Sequence, residues 1–146
     1  MRALGVDLGS RRIGVALSDS RGTLATPYET VERSGDVARD HRRLLELAAE
    51  AEVECIVVGL PLSLDGSIGP AAEGVLAEVD ELRRTTPLPV ETYDERLTTV
   101  TADRLLRQGG RKGRARRTVV DKTAAAVLLQ AWLDGRPSDD PSADGP

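Results

Sequence analysis

Three acidic residues stand where predicted elements begin or end, and carboxylates in such places can bind metal ions. Asp7 comes near the end of the first predicted strand, Glu95 ends the last strand with Asp94 beside it, and Asp121 lies in the first turn of the final predicted helix. Ligands of α/β sheets bind outside the strand ends, so these acids are expected to converge. Carboxylates without a histidine suit a hard cation, Mg²⁺ or Mn²⁺, and such cations serve phosphate chemistry.

Each acid also has an ordinary structural explanation. Asp7 could simply accept hydrogen bonds in the turn that follows it. Glu95 could cap the next helix or pair with the arginine after it, and strand alternation sends Asp94 and Glu95 to opposite faces without telling which is functional. The run from Thr118 to Asp121 resembles a capping box, in which Asp121 would complement the helix dipole. The residues alone leave both interpretations open.

A strongly basic segment precedes the final predicted helix. Residues 109–117 hold three glycines and five cations but no acid. The cations are Arg111, Lys112, Arg114, Arg116 and Arg117. On a flexible loop of an otherwise acidic chain they favour a polyanionic partner, although a solvated surface is the simpler alternative. Because aromatic stacking is not evident, contacts to the backbone and shape of a nucleic acid are favoured over base recognition.

Composition limits the other classes of protein. The chain has 146 residues, a net charge of −4 and 40% hydrophobic residues, which fits one globular domain over 1–134. A single cysteine, Cys55, excludes an internal disulfide framework and cysteine-rich zinc sites. The single histidine, His41, lies on the apolar stripe of a predicted helix, which favours packing or capping over catalysis. With no long apolar stretch, the chain is expected to be cytoplasmic and to bind no membrane.

The hydrophobic pattern predicts an α/β fold. Strands are expected over 2–8, 12–18, 23–32, 54–60 and 87–94. Helices are expected over 36–52, from Pro70 with an apolar face through Leu82, over 97–108 and over 118–134. Three antiparallel strands followed by strands alternating with helices predict a mixed sheet with helices on both faces. Pro27 indicates that the third strand lies at an edge, and residues 135–146 are expected to be a disordered acidic tail.

Four blocks of the chain resemble the YqgF/RuvX family of bacterial proteins. The blocks are Asp7–Ala16, Val58–Pro61, Asp94–Thr99 and Asp121–Ala125. Members of this family are described as Holliday junction resolvases and as nucleases that process pre-16S rRNA. The resemblance implies an RNase H-like fold with sheet order 3-2-1-4-5 and Asp7, Glu95 and Asp121 as catalytic acids. The choice of Glu95 over Asp94 comes from the resemblance, and Ser63, where many relatives carry Asn, leaves the role of its loop open.

The expected function is that of a metal-dependent endonuclease acting on precursor rRNA or branched DNA. Asp7 would bridge two metal ions, Mg²⁺ or Mn²⁺, and Glu95 and Asp121 would each complete one of the two metal sites. The basic segment would hold the substrate backbone. Arg11 and Arg96 are candidates for phosphate contact or structural pairing, with pairing favoured for Arg96. A resolvase would be expected to act as a homodimer.

Two other classes of protein are alternatives to the nuclease. One is a non-catalytic nucleic-acid-binding module, in which the acids are structural. The other is an ATP-binding protein of the actin/Hsp70-like type, whose phosphate hairpin also carries an aspartate followed by glycine. Such proteins need two such domains around the nucleotide, and this chain has one.

Overall fold

The computed structural model describes residues 1–98 and 113–136, and within 113–123 it describes only the helical backbone. Its strands are β1 (Ala3–Leu8), β2 (Arg12–Ser18), β3 (Ala25–Glu32), β4 (Cys55–Leu60) and β5 (Val90–Asp94). Its helices are α1 (Val37–Glu50), α2 (Pro70–Thr85) and α3 (Gly113–Asp134), with a 3₁₀ turn at Glu95–Thr98. Each predicted strand is present within about three residues of its expected bounds.

The strands form one five-stranded mixed sheet in the order β3-β2-β1-β4-β5, as expected. The hairpin β1–β2 and the pair β2–β3 are antiparallel, whereas β1, β4 and β5 run parallel. The edge position of β3 is confirmed, and Pro27 lies next to the register irregularity in its pairing with β2. Because β1, β4 and β5 are parallel, their carboxyl ends lie side by side together with the β1–β2 turn. This row of strand ends is the carboxyl edge of the sheet.

Helices cover both faces of the sheet, which confirms that prediction. On one face, α1 and α2 bury a large aliphatic core that includes Leu44 and Val79 against Val6 and Val58. On the other face, α3 packs on the small residues of the central strands. The members of this second cluster are Ala3, Ala16, Cys55, Val57, Ala125, Leu129, Trp132 and Leu133. Cys55 is buried there as a core residue, and burial raises the pKa of its thiol to about 11.

Glycine at position 5 lets α3 lie directly on β1. A Cβ at Gly5 would stand 2.7 Å from Leu129 Cβ and 3.2 Å from the carbonyl oxygen of Ala125. At the other end of the contact, Arg136 Nη1 lies 3.6 Å from Met1 Sδ. The helix therefore runs antiparallel to β1, and the residues that precede Ala125 lie towards the carboxyl end of that strand.

Two expectations about the final helix are wrong. The helix begins at Gly113 rather than near residue 118, so Arg114, Arg116 and Arg117 belong to its first turns and not to a flexible loop. Arginine and alanine are strong helix formers, and this propensity outweighs the glycine-rich composition that suggested a loop. Asp121 consequently lies in the third turn of α3, too far from the helix start to cap it.

Several predictions fall outside the described residues. Arg111 and Lys112, nearly all of the helix expected over 97–108 and the tail beyond residue 136 are among them. Residues 97 and 98 are described, and they belong to the 3₁₀ turn. Among the helices that are described, none is long and apolar enough to cross a membrane.

Candidate functional site

The carboxyl groups of Asp7 and Glu95 meet at the carboxyl edge of the sheet. Asp7 is the penultimate residue of β1, and Glu95 is the first residue after β5. The two carboxyl groups share a hydrogen bond, and both residues are half-buried. The structure therefore brings together two of the three acids singled out from the sequence.

The contact between these acids changes the acidity of Glu95. Burial is the largest cause, and the negative charge of Asp7, the hydrogen bond with it and the charge of Asp94 add to it, so that the pKa of Glu95 rises to about 7. A raised pKa means that the ionised form is held at a cost in free energy. Two like charges so close favour a shared proton or a bound cation between them.

Gly59 provides the space that Glu95 occupies. The strand registers pair Val6 with Val58 and Gly59 with Tyr93, so Gly59 lies between the end of β1 and the end of β5. A Cβ at Gly59 would stand 2.5 Å from Glu95 Oε1 and 3.0 Å from its Cγ. Glu95 can reach across β4 because that strand presents no side chain at this position.

The neighbouring acid, Asp94, has a different set of partners. Its carboxylate accepts hydrogen bonds from the backbone N–H of Arg96 and from the Arg96 guanidinium, with a closest distance of 2.6 Å. These hydrogen bonds hold the pKa of Asp94 below its usual range. The capping and pairing roles that the sequence left open for Glu95 thus belong to Asp94, and the pairing expected for Arg96 is confirmed.

An arginine that the sequence did not single out holds the turn after Asp7. Arg33 Nε donates to the carbonyl oxygen of Gly9 at 2.9 Å, and the Arg33 backbone N–H donates to that of Arg11 at 2.9 Å. Its guanidinium also forms two 2.8 Å hydrogen bonds to the carboxylate of Glu78 on α2. The turn that carries Asp7 is therefore tied to the helical layer.

His41 belongs to this same buried network. Its Nε2 lies 2.9 Å from Glu78 Oε1, and its side chain is buried. Burial raises the pKa of Glu78, but the hydrogen bonds from His41 and Arg33 outweigh burial and lower that pKa to about 2. Glu78 is far from Arg33 and His41 in the sequence, so no local spacing could have indicated the network. The packing role expected for His41 agrees with its burial.

Asp121 is placed by its helix and not by described side-chain contacts. It lies one turn before Ala125, and Ala125 packs against Gly5 of β1. Residues four apart share a helix face, and α3 runs towards the carboxyl end of β1 as the residue numbers fall. Position 121 is thus on the strand-facing side of the helix, towards the edge that carries Asp7.

The donor set of the site fits a hard cation. Asp7 and Glu95 supply carboxylate oxygens, which Mg²⁺ and Mn²⁺ prefer. Among the side chains that the structure describes, no third histidine, cysteine or acid completes a group of three. A further ligand from the protein would therefore have to come from a side chain beyond that set, and Asp121 is the candidate.

The chain is similar to named bacterial proteins over almost its whole length. Relatives called "Putative pre-16S rRNA nuclease" include one from Mycobacterium sp. (strain KMS), 48% identical over 92% of this chain and 80% of its own length. The protein of that name from Mycobacterium leprae (strain Br4923) is 51% identical over 91% of this chain and 72% of its own length. The protein of that name from Rhodococcus jostii (strain RHA1) is 50% identical over 92% of this chain and 78% of its own length.

Solved structures share the fold. RuvC of Thermus thermophilus in complex with a Holliday junction substrate superposes with a TM-score of 0.56 and 19% identity, covering 91% of this chain and 96% of that one. A second RuvC structure from that organism gives a TM-score of 0.53 with 17% identity, over 91% and 94%. These matches confirm the RNase H-like fold. The family model for RuvX, described as Holliday junction resolvase, matches residues 1–135, and the chain therefore belongs to the RuvX family of nucleases.

Proposed function

We propose that this chain is a divalent-metal-dependent endonuclease that hydrolyses phosphodiester bonds in structured nucleic acid. Asp7, Glu95 and Asp121 would be its catalytic acids and would hold Mg²⁺ or Mn²⁺. The observation that carries the proposal is the hydrogen-bonded pair of Asp7 and Glu95 at the carboxyl edge of the sheet, where ligands of α/β folds bind. Membership of a nuclease family supports the same chemistry.

A cation would relieve the unfavourable electrostatics of the acid pair. Without it, the pKa of Glu95 is about 7, because burial and the charge of Asp7 oppose ionisation. A metal ion held by these two carboxylates would favour their ionised forms, so that metal binding would be coupled to proton release. When bound, Mg²⁺ neutralises phosphate charge and lowers the pKa of a water ligand.

Asp121 is proposed as the third acid on the basis of helix geometry. The observed start of α3 at Gly113 leaves Asp121 without a capping role. Its position one turn before Ala125 lies on the strand-facing side of the helix, at the end nearer Asp7. Helix geometry therefore makes Asp121 the candidate to share a cation with Asp7 and Glu95.

Basic side chains would bind the substrate backbone. Three arginines near the site are engaged by carboxylates, because Arg12 pairs with Glu32, Arg33 with Glu78 and Arg96 with Asp94. Arg11 is exposed on the turn that follows Asp7, which suits a phosphate contact next to the acids. The cations of the basic segment, named above, would extend that contact along the backbone.

Precursor 16S rRNA is the substrate that we favour. The relatives that are about half identical to this chain carry that name, and they align with more than nine-tenths of it. A four-way DNA junction is the second candidate, because the family is described as a Holliday junction resolvase. Symmetric cleavage of a four-way junction would require a homodimer, whereas cleavage at one end of an rRNA would not. A cytoplasmic location agrees with either substrate.

The test compares purified protein on both substrates. Wild type is incubated with a precursor-rRNA fragment and with a four-way junction in Mg²⁺, Mn²⁺ or EDTA. We expect metal-dependent cleavage of one substrate and its loss in Glu95→Gln. The matched control is Asp94→Asn, which changes the adjacent acid that pairs with Arg96. Absence of cleavage of either substrate in both metals, or equal loss in the two variants, would contradict the assignment.

A further inference from the structure

Exposed apolar side chains follow β4 and β5 at the carboxyl edge of the sheet. Among the described residues, five large hydrophobic side chains are exposed, and three of them follow β4 or β5 at the carboxyl edge of the sheet. These three are Leu64, Ile68 and Leu97, with relative exposures of 96%, 55% and 67%. Leu97 lies against α3, where it lines a cavity with Ala126 and Gln130, so it does not belong with the other two. Single exposed apolar residues are ordinary, but Leu64 and Ile68 on one short loop indicate a contact surface.

The loop that displays Leu64 is internally well ordered. Ser63 donates its backbone N–H to the carbonyl oxygen of Ser67 at 3.0 Å, and Gly66 donates to that of Ser63 at 2.8 Å. The carboxylate of Asp65 accepts from both the backbone N–H and the hydroxyl of Ser67. Gly66 adopts a φ of +88°, which glycine accommodates without strain. A tight turn therefore holds Leu64 exposed to solvent. The hydrogen bonds of that turn do not involve the Leu64 side chain, so the turn does not require a leucine at this position.

Arg96 joins this loop to the turn that carries Glu95. Its guanidinium, which pairs with Asp94, also donates from Nη1 to the carbonyl oxygen of Leu64 at 3.3 Å. Gly66 keeps the loop open for that arginine, since a Cβ there would stand 3.3 Å from Arg96 Nη1. The exposed leucine is thus fixed relative to the acids through a single side chain.

We propose that Leu64, on the same loop as Ile68, contacts an unstacked nucleobase of the substrate beside the phosphate that is cleaved. This inference rests on the proposed function and adds how the site recognises structure. An aliphatic side chain gains nothing from a phosphate, but it can pack on a base face or wedge into a base step. Base faces are accessible only where a helix is interrupted, as at a branch point, bulge or loop.

Such a contact would separate structured substrates from a continuous duplex. Backbone phosphates are present in both, so the arginines alone discriminate weakly. A leucine that can be buried only at an interruption adds affinity for the interrupted form alone. Aromatic stacking is not evident from the sequence, and Leu64 would take that place with an aliphatic surface.

Binding and base unstacking can be measured without cleavage. Protein in EDTA is titrated against a four-way junction, a bulged RNA hairpin and a linear duplex, with 2-aminopurine placed at the interruption. We expect Leu64→Ser to lower affinity for an interrupted substrate about tenfold, in line with loss of leucine burial, while affinity for the linear duplex stays unchanged. We expect wild type to raise the 2-aminopurine fluorescence, Leu64→Ser to abolish that rise and Leu64→Met to restore it.

The matched control is Leu24→Ser. Leu24 is also exposed, at 57%, but it precedes β3 and lies at the end of the sheet opposite the carboxyl edge. It should leave affinity and fluorescence unchanged. Because Leu64 is almost fully exposed, its substitution should not alter the melting temperature, which is checked alongside. Sedimentation of both variants tests whether the patch instead joins two copies of the chain.

The outcomes distinguish this inference from the proposed function. If wild type binds neither interrupted substrate, both are overturned. If wild type binds and Leu64→Ser binds equally well with the same fluorescence, the base contact is wrong while the nuclease assignment stands. A change in sedimentation with unchanged binding would assign the patch to a second copy of the chain and would also overturn the base contact.

Discussion

Glu95 reaches Asp7 by lying directly over Gly59, a residue whose lack of a side chain leaves room for the glutamate. The separation from Glu95 Oε1 to a Cβ built on Gly59 would be 2.5 Å, well inside van der Waals contact. The carboxylate of Glu95 cannot stay where it is if any side chain replaces the glycine. The geometry of the acid pair therefore depends on a residue that has no chemistry of its own.

The first prediction is that Gly59→Ala reduces cleavage by at least tenfold with unchanged substrate affinity. The added methyl group forces Glu95 away from Asp7, and small displacements at a reacting centre cost large factors in rate. Single-turnover cleavage at saturating substrate measures the effect. The control is Gly74→Ala on α2, where a Cβ would meet nothing within 4 Å. This substitution should leave cleavage unchanged and stabilise the helix by about 1 kcal/mol. Equal rates for the two variants would contradict this view of the site.

The second prediction concerns pH and the metal-free protein. The pKa of Glu95 is about 7 in the folded protein against an ordinary value of 4.5, so the folded state binds more protons between these pH values. Unfolding then becomes easier as pH rises through this window, because stability falls wherever the native state holds the extra proton. We expect the melting temperature in EDTA to fall more between pH 4.5 and 7 for wild type than for Glu95→Gln. Identical pH profiles would exclude a perturbed Glu95.

The third prediction assigns metal binding to Asp7 and Asp121. Millimolar Mn²⁺ should raise the melting temperature of wild type, since a ligand that binds only the native state stabilises it. Asp7→Asn should abolish both this rise and cleavage while the protein stays folded, because it removes one of two repelling charges. Asp121→Asn should shrink the rise. An undiminished response in Asp121→Asn would mean that this acid is not a ligand.

The fourth prediction is that Arg33→Lys lowers kcat several-fold without raising KM. One ammonium group cannot replace a guanidinium that binds the Gly9 carbonyl and both oxygens of Glu78. Hydrogen exchange in the turn after Asp7 should become faster even without metal. Arg83→Lys is the matched control, because the Arg83 guanidinium also donates to a backbone carbonyl, twice to that of Val90 at the start of β5. A loss of stability in both variants with unchanged kcat would make Arg33 merely structural.

The fifth prediction is that the basic residues at the start of α3 supply affinity and not chemistry. Each phosphate neutralised on a duplex contributes about −0.9 to the slope of log affinity against log salt. Changing Arg114, Arg116 and Arg117 to Ala should weaken binding and flatten that slope, while cleavage at saturating substrate survives. Alanine preserves the helix that begins at Gly113. An unchanged slope would show a solvated surface, and a lost saturated rate would place an arginine at the transition state.

The sequence by itself determined the order and type of most elements and the strand position of Asp7. Alternation in the hairpin, the apolar run of β4 and Pro70 at the start of α2 are local signals, and local signals are what a chain carries in its own periodicity. The resemblance to a known family supplied the sheet order and named Glu95 as the functional acid, where spacing alone could not choose.

Only the tertiary structure decided which residues support the acids. Asp94 and Glu95 are adjacent, yet one turns to Arg96 and the other crosses β4 to Asp7, because the strand ends between them and a 3₁₀ turn begins. The space over Gly59 and the hydrogen bonds of Arg33 join residues from separate elements, and no local pattern encodes such contacts. The start of α3 was missed because glycine and positive charge resemble a loop. Packing of parallel strands and helices, rather than spacing along the chain, brings these residues to one edge.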